Sequence, residues 1–548
     1  MRNSGTAEQY VPSSSIRSAA DIERAAAGVI DIDAKTTTCV VLACVVAASG
    51  GMLFGYDGGV TGGVESMGQF KSWFFPGGDG DTSLYCRYNY KSLQTYSALM
   101  HFTGSIASIA ASYFTQHWGR KGSMIIAGTS FLIGSIFQAS STKGHIWLLF
   151  IGRVCWGVGI GFGDHCAFIY TAEMAPPRWR GRLNTLVQLG TITGIVVANA
   201  INIATNNLQW GWRLSLGLAA LPGTVLVMGG LFLPETPNSL VERGYLREAR
   251  VVLQQVRGTK DVVAEFDTIV LANEALKGME NPWIAILRRR NRPQLILAIA
   301  MPFLQQWSGV NGVTFFAPQI FAGISSFGEG NQGPLIAAIL VNGVQLIATI
   351  FTVVMVDKVG RRALLLSGSL LGFAAEVAVA IVLAVSASSS ATDLPLAASV
   401  VSIVLVGLYS IAFGFSWGPI GWLLPSEIHD LNTRSAGQSI TVFTQLMSGA
   451  VVTQTFLNML CSLKWGIYIF FGAWQLIAIL FTLFLVPETR GVPIEKAANF
   501  VRAHKVWRHV CYPGGIVPGS DDSTGGMHRL SEPPNQIAAE QQGITYLG

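Results

Sequence analysis

One acidic side chain inside a long apolar run constrains this chain more than any other feature. From about Thr38 to Val64 the sequence is apolar and long enough to cross a bilayer. In its middle, Gly55-Tyr56-Asp57-Gly58-Gly59 places a carboxylate among glycines. An ionised Asp at bilayer depth is expensive, so it faces a partner, a cavity or an ion path. Glycines let helices pack closely and let one unwind where a ligand approaches. The stretch reads as the coupling helix of a secondary transporter. The plainer alternative is a structural Asp paired with a basic residue elsewhere in the bundle.

The rest of the composition agrees with a membrane setting. Charged residues are 12% of the chain, against about 25% in soluble proteins. Repeated uninterrupted apolar runs replace the amphipathic patterns of a soluble chain. The net charge of +5 comes mostly from basic loops. It therefore reports topology rather than nucleic-acid binding. Glu8, Asp21, Glu23, Asp31 and Asp33 in the first 35 residues argue against a signal or transit peptide. Seven cysteines form no close CxxC pair, so no zinc or redox centre is expected. No catalytic constellation stands out, and an enzyme is not expected.

Apolar runs predict an all-α membrane protein of twelve spans, near 38–64, 93–115, 122–141, 145–172, 183–204, 212–233, 294–322, 334–356, 363–387, 396–425, 433–459 and 465–486. Basic clusters at Arg120-Lys121, Arg178 to Arg182, Arg243 to Arg290 and Lys358 to Arg362 fall on one side if the spans alternate. By the positive-inside rule that side is cytoplasmic, with both termini. The expected organisation is a cytoplasmic tail (1–37), a six-helix bundle (38–233) with an outer cap (69–91), a cytoplasmic linker of short amphipathic helices (234–292), a second six-helix bundle (293–486) and a cytoplasmic tail (487–548) that is disordered after Pro513.

The halves repeat. Trp118-Gly119-Arg120-Lys121 matches Val359-Gly360-Arg361-Arg362, and Pro234-Glu235-Thr236 matches Pro487-Glu488-Thr489. Glu173 precedes Arg180 by the same interval as Glu427 precedes Arg434. Two such bundles with a site between them at mid-membrane form a recurring transporter plan. The same alignment exposes an asymmetry. Asp57 falls near Trp307, and Arg153 near Gly407, so both charges are peculiar to the first half. Opposite charges buried in one bundle tend to pair.

At these residues the chain resembles the sugar porter family of the major facilitator superfamily. The marks are Gly119-Arg120-Lys121, Pro234-Glu235-Thr236-Pro237, Gln305-Gln306-Trp307-Ser308-Gly309-Val310-Asn311, Asp357-Lys358-Val359-Gly360-Arg361-Arg362, Gly418-Pro419-Ile420-Gly421-Trp422 and Pro487-Glu488-Thr489-Arg490. Gly55-Tyr56-Asp57, Pro237-Asn238-Ser239-Leu240-Val241-Glu242-Arg243-Gly244 and the long first outer loop with Cys86 are most similar to plant and algal monosaccharide–proton symporters.

The resemblance implies that sugar binds between the halves at Gln188, Gln305, Gln306, Asn311, Asn342, Trp422 and Gln445. The chemistry agrees: amides donate and accept as sugar hydroxyls do, and an indole offers a flat apolar face. For any single Gln the alternative is an interhelical hydrogen bond. The resemblance also makes Asp57 the proton-binding carboxylate and Arg153 its partner. It makes Glu173, Arg180, Glu235, Asp357, Arg361, Arg362, Glu427, Arg434 and Glu488 a cytoplasmic ion-pair latch, against a bland reading as solvated charges. It implies a Cys86–Cys461 disulfide, with two independent thiols as the alternative.

Several positions depart from the family pattern. Gln116-His117-Trp118 lacks the usual acid before Gly-Arg, so one ion pair of the latch is expected to be missing. Asp164-His165-Cys166-Ala167-Phe168 replaces an Asn-Gln…Pro pattern. There His165 is either titratable near neutral pH or structural. Gln445 replaces a frequent Asn, and Phe316 a frequent Tyr. The expected function is import of a hexose, glucose first among them, with a proton as coupling ion and no cofactor. The functional unit is expected to be a monomer in the plasma membrane, with no nucleic-acid partner. The alternatives are an uncoupled sugar or polyol facilitator and a non-transporting sugar sensor.

Overall fold

The structure, a computed structural model, describes residues 37–76, 86, 91–176, 179–276, 280–314, 332–386, 395–430, 432–490, 492 and 494–511. All regular elements among them are helical. The first bundle comprises α1 (Thr38–Ser66), the short α2 (Gly68–Phe74), α3 (Lys91–Ala139), α4 (Ile146–Met174), α5 (Arg180–Thr205), α6 (Gly211–Leu218) and α7 (Ala220–Phe232). Then come the linker helices α8 (Pro237–Glu242), α9 (Leu246–Arg257), α10 (Val263–Leu276) and α11 (Pro282–Ala285). The second bundle holds α12 (Arg292–Trp307), α13 (Gln332–Val359), α14 (Arg361–Ser386), α15 (Leu396–Phe415), α16 (Trp417–Ile428), α17 (Arg434–Leu463) and α18 (Gly466–Leu485). Two further helices follow, α19 (Ile494–Ala503) and α20 (Lys505–Cys511).

Ten described helical segments are long and apolar enough to cross a membrane. Two further spans bring the total to twelve. α3 is two spans meeting at Gly119, whose φ of +83° breaks the helix. The seventh span is α12 continued by helix at 310–314 beyond a bend at Ser308–Gly309. The apolar run shows a span's length but hides such breaks, because a single turn of altered backbone leaves hydropathy unchanged.

Packing of α1 follows from its glycines. Gly51, Gly55, Gly59 and Gly63 recur every fourth residue and line one stripe. A Cβ on Gly55 would stand 1.8 Å from the Thr191 carbonyl oxygen, and one on Gly59 2.5 Å from that of Ile195. α1 therefore lies backbone to backbone on α5. That contact sets the rotation of α1. Asp57, two residues on from Gly55, points roughly 200° away, toward α4. The bundles meet where α3 packs on α17 and α5 on α13.

Outside the bundles, the start of the first long loop is folded. Phe70 packs at 5.6 Å from Trp212 and 6.0 Å from Tyr96, ring centre to ring centre. Cys86 is disulfide-bonded to Cys461 near the end of α17, with Cα atoms 4.7 Å apart. The linker forms short helices around Leu240, Val241, Leu253 and Phe266. It is tied to the first bundle by Arg257, which donates to the Met174 carbonyl at 3.0 Å. Part of the expected C-terminal tail is also folded onto the second bundle. Arg502 donates to Asn291 Oδ1 at 2.7 Å and pairs with Asp430, and the Trp507 indole donates to the Leu485 carbonyl at 2.8 Å. The segment after Pro513 lies outside the described residues, as does Phe316.

Candidate functional site

Three groups of residues converge on the space within and between the bundles. The first is an ion pair. Asp57 and Arg153, 96 residues apart in sequence, are both 0% exposed, and Arg153 Nη1 donates to Asp57 Oδ1. Arg153 Nη2 donates to Thr61 Oγ1 at 2.7 Å, and Thr61 donates to Asp57 Oδ1 at 3.2 Å. The guanidinium lies 4.0 Å from the Tyr96 ring centre and 5.2 Å from that of Trp156. Aromatic faces thus cover the cation while hydrogen bonds satisfy the anion, which is how a charge pair survives in low dielectric. Asp57 Oδ2 has no hydrogen-bond partner among the described residues. Asp57 thus retains a lone-pair site at which a proton can be added.

Sequence reasoning passed over a second acid on the same face. Glu65 lies two turns beyond Asp57, with Thr61 between them, and is 1% exposed. It accepts from the Ser97 hydroxyl. It stands just past the apolar run, so a window ending at Val64 misses it.

The second group is the amides. Gln305 Nε2 donates to the Trp417 and Gly418 carbonyls at 2.8 and 3.0 Å, at the break between α15 and α16. Gln306 is its buried neighbour on α12. Asn311 follows the bend at Gly309, where φ is +88°. It packs beside Gly449 of α17, against which His101 of α3 also rests. Gln445 lies one turn before Gly449. Trp422 follows Gly421, whose added Cβ would press on the Gln305 amide. Gln305, Gln306, Asn311, Trp422 and Gln445 thus sit on three mutually packed helical segments. Gln188 and Asn342 sit on α5 and α13, which face each other across the other seam. Asn342 Nδ2 donates to the Ala338 carbonyl at 2.9 Å.

The amides share a property that bears on ligand binding. Gln305 Oε1, Gln306 Oε1, Asn342 Oδ1, Gln445 Oε1 and Asn311 Nδ2 are buried without a hydrogen-bond partner among the described residues. Buried amide atoms are ordinarily paired. Several unpaired ones near two broken spans suit a ligand rich in hydroxyls.

One expectation is modified by the geometry. Trp422 does not present both faces to a ligand, because the Phe168 ring stacks on it at 4.9 Å and 12°. Phe168 on α4 of the first half thus reaches across the seam to Trp422 on α16 of the second. Its neighbour His165 also crosses the seam, with Nδ1 3.2 Å from Ser439 Oγ. Asp164 is 2% exposed, with Oδ2 unpartnered among the described residues.

The third group is the charges at the basic end, and there the repeat is close. Arg120 donates to Glu173 at 2.7 Å, and Arg361 donates to Glu427 at 3.1 Å. Thr236 donates to Glu173 and Thr489 to Glu427, at 2.5 and 3.4 Å. Glu235 accepts the backbone N–H groups of Arg120 and Lys121, at 3.1 and 3.3 Å. Glu488 accepts those of Arg361 and Arg362, both at 3.0 Å. These two carboxylates sit on the positive ends of the third and ninth spans. Gly119 and Gly360, with φ of +83° and +101°, make room for them.

Most of the expected latch residues therefore bond inside their own half. The described ion pair between halves is Arg182 to Asp357 at 3.6 Å, and Arg182 was not among the expected residues. Its signal was weak, because it lies in a run of arginines from Arg178. Arg180 and Arg434 open α5 and α17. A cleft of about 630 Å³ separates the halves here, lined by Thr115, Arg120, Glu173, Arg434 and Ser435 among others. In the first half Gln116-His117-Trp118 supplies no counterpart to Asp357; His117 Nδ1 instead lies 2.9 Å from the Tyr113 carbonyl.

Twelve spans in two repeated bundles, broken near a buried polar seam, define a multi-pass membrane carrier. The family described as "Sugar (and other) transporter" matches residues 43–500, and the chain belongs to it. Sugar transport protein 13 of Arabidopsis thaliana is 42% identical over 489 residues, covering 87% of this chain and 92% of the relative. Sugar carrier protein A of Ricinus communis is 42% identical over 502 residues, covering 90% and 94%. The solved structure of XylE, described as a major facilitator superfamily proton:xylose symporter bound to 6-bromo-6-deoxy-D-glucose, superposes with a TM-score of 0.73 at 24% identity, covering 85% of this chain and 99% of that one. The fold is that of the major facilitator superfamily, and the chain is a sugar transporter rather than an enzyme.

Proposed function

We propose that the protein imports a monosaccharide, a hexose with glucose first among candidates, together with a proton, by alternating access. It would work as a monomer in the plasma membrane, with the basic end and both termini cytoplasmic. The observation that carries this reading is the fully buried Asp57–Arg153 pair bridged by Thr61. Protonation neutralises Asp57 and weakens its hold on Arg153. α1 and α4 are then able to shift against each other. α1 lies backbone to backbone on α5, which bears Gln188, so movement of α1 reaches the amide seam. Proton and sugar binding are thereby linked reciprocally. The named activities of the relatives, sugar transport in plants and proton:xylose symport in XylE, support the same reading. No cofactor is needed, since the proton is the coupling ion. At the basic end Arg182–Asp357 would tie the two halves together in the outward-facing state, while the other paired networks brace each half.

Asp57→Asn tests the reading in proteoliposomes. Concentrative glucose uptake and sugar-induced alkalinisation are expected to fall at least tenfold, while exchange of labelled for unlabelled glucose at equal pH persists. Undiminished accumulation overturns proton coupling at Asp57. A wild-type protein that only equilibrates sugar is a facilitator, and one that binds without flux is a sensor.

A further inference from the structure

The second bundle holds a buried acid of its own. Glu376 lies in α14, about 22 Å along the helix from Arg361, and is 5% exposed. Its Oε2 has no hydrogen-bond partner among the described residues. It lines a cavity of about 20 Å³ with Gly309, Tyr409, Phe456, Tyr468 and Phe471. That volume has room for about one water molecule. The cavity lies against the bend of the seventh span, where Gly309 has a φ of +88° and the Tyr409 hydroxyl donates to the Ser308 carbonyl at 2.8 Å. Among the described residues, the other titratable groups lining this space are Tyr409 from α15 and Tyr468 from α18. The seventh span contributes Gly309 and Val313 and α17 contributes Phe456, none of which ionises.

The internal repeat relates this acid to the ion-pair site. The offset that carries Gly119 onto Gly360 carries Ser135 onto Glu376. Ser135 accepts from the Trp156 indole at 3.1 Å, and Trp156 is one of the rings against Arg153. Glu376 therefore occupies, in the second bundle, the wall that flanks the Asp57–Arg153 pair in the first, with no arginine lining its cavity among the described residues.

We propose that Glu376 is a second proton-binding site, loaded while the seventh span closes on this cavity and emptied when the bend at Ser308–Gly309 admits water. The inference rests on the transport reading above. An ionised carboxylate in the closed cavity would be buried without a cation, which is costly. A carboxylic acid carries no such charge. When the span swings away, the O–H bond breaks, the proton passes to water and the carboxylate is hydrated. Proton occupancy and the bend then bias each other.

The test counts protons. Glucose is added to the purified full-length protein in weakly buffered detergent, from acid to neutral pH, and proton exchange is read with an indicator dye. Asp57→Asn is expected to remove only part of the exchange, Glu376→Gln the other part, and the double variant all of it. If Asp57→Asn leaves exchange unchanged while Glu376→Gln reduces it, the Asp57 reading fails and the Glu376 site stands. Exchange by Glu376→Gln identical to wild type at every pH, or complete loss in Asp57→Asn alone, overturns the inference. Should Glu376→Gln not fold, Glu376→Asp keeps the acid. The carboxylic C=O band in the sugar-induced infrared difference spectrum must then shift, and an unshifted band overturns the assignment.

Discussion

At the basic end the two bundles are near copies, and at mid-membrane they part. Arg120, Glu173, Thr236 and Glu235 in one half repeat as Arg361, Glu427, Thr489 and Glu488 in the other, with the same bonds among themselves; Arg120 pairs in addition with Glu242, and Arg361 with Asp357. Deeper in, the first bundle holds a paired acid and base, Asp57 and Arg153, wrapped in aromatic rings. The second holds neutral amides around two broken spans, and an acid, Glu376, whose cavity is lined by no cation among the described residues. The helix ends face a common demand, since each exposed N-terminus gains from a carboxylate whatever the cargo. The interior faces a divided one. A site for a charged coupling ion needs a counter-charge, whereas a site for a neutral polyhydroxyl ligand is better built from groups with no charge to desolvate. In this reading, divergence between the halves marks the division of labour, and conservation of the helix ends marks the shared hinge hardware.

The largest expected difference lies in the interior charge. Arg153→Met leaves Asp57 buried without its partner and is expected to destabilise the protein by about 3–5 kcal/mol. Tyr409→Phe in the second half removes the hydroxyl that bonds the Ser308 carbonyl and lies 3.2 Å from the Ser308 hydroxyl, neutral hydrogen bonds worth about 1 kcal/mol each. Thermal unfolding of both variants in detergent measures this, and equal losses would erase the distinction between the halves.

A smaller difference is expected in packing. Gly55→Ala drives a methyl onto the Thr191 carbonyl 1.8 Å away, an overpacking cost of about 1–3 kcal/mol. Gly343→Ala on α13 meets nothing within 4 Å, and should be neutral or gain up to about 1 kcal/mol from helix propensity. A Gly55→Ala protein as stable as Gly343→Ala would show that the α1–α5 seam is looser than its geometry implies.

The smallest contrast should be absent altogether. Glu235→Gln and Glu488→Gln each remove the charge that accepts from a helix N-terminus, at about 1 kcal/mol, and the partly exposed Arg243–Glu235 contact at 3.4 Å adds little to the first. Stabilities of the two variants that differ by more than about twice that cost would break the equivalence of the ends.

Much of this was legible beforehand, and the reason is length scale. Asp57 and Arg153 stand out because each interrupts an apolar run, a property of some twenty neighbouring residues. The Gly-Arg and Pro-Glu-Thr repeats likewise stand out as local strings. Glu376 carried the same signal, an acid inside an apolar span, and was passed over because no motif surrounds it. Phe168 was noted as a departure, but nothing local says that its ring covers Trp422. Arg182 was hidden among adjacent arginines, and only the approach of α5 to Asp357 singles it out.

The amino-acid string alone determined twelve crossings, their pairing into two six-span halves, and that Asp57 and Arg153 had to be buried. Those follow from hydropathy and periodicity, which are sums over short windows. The tertiary structure alone decided that Thr61 bridges Asp57 and Arg153, that Glu376 faces a cavity at a bend, and that an aromatic ring closes one face of Trp422. Such contacts depend on how far each helix is rotated and slid against its neighbours. In α1 that rotation is set by a stripe of glycines pressed on α5, a constraint that exists only once both helices are in place.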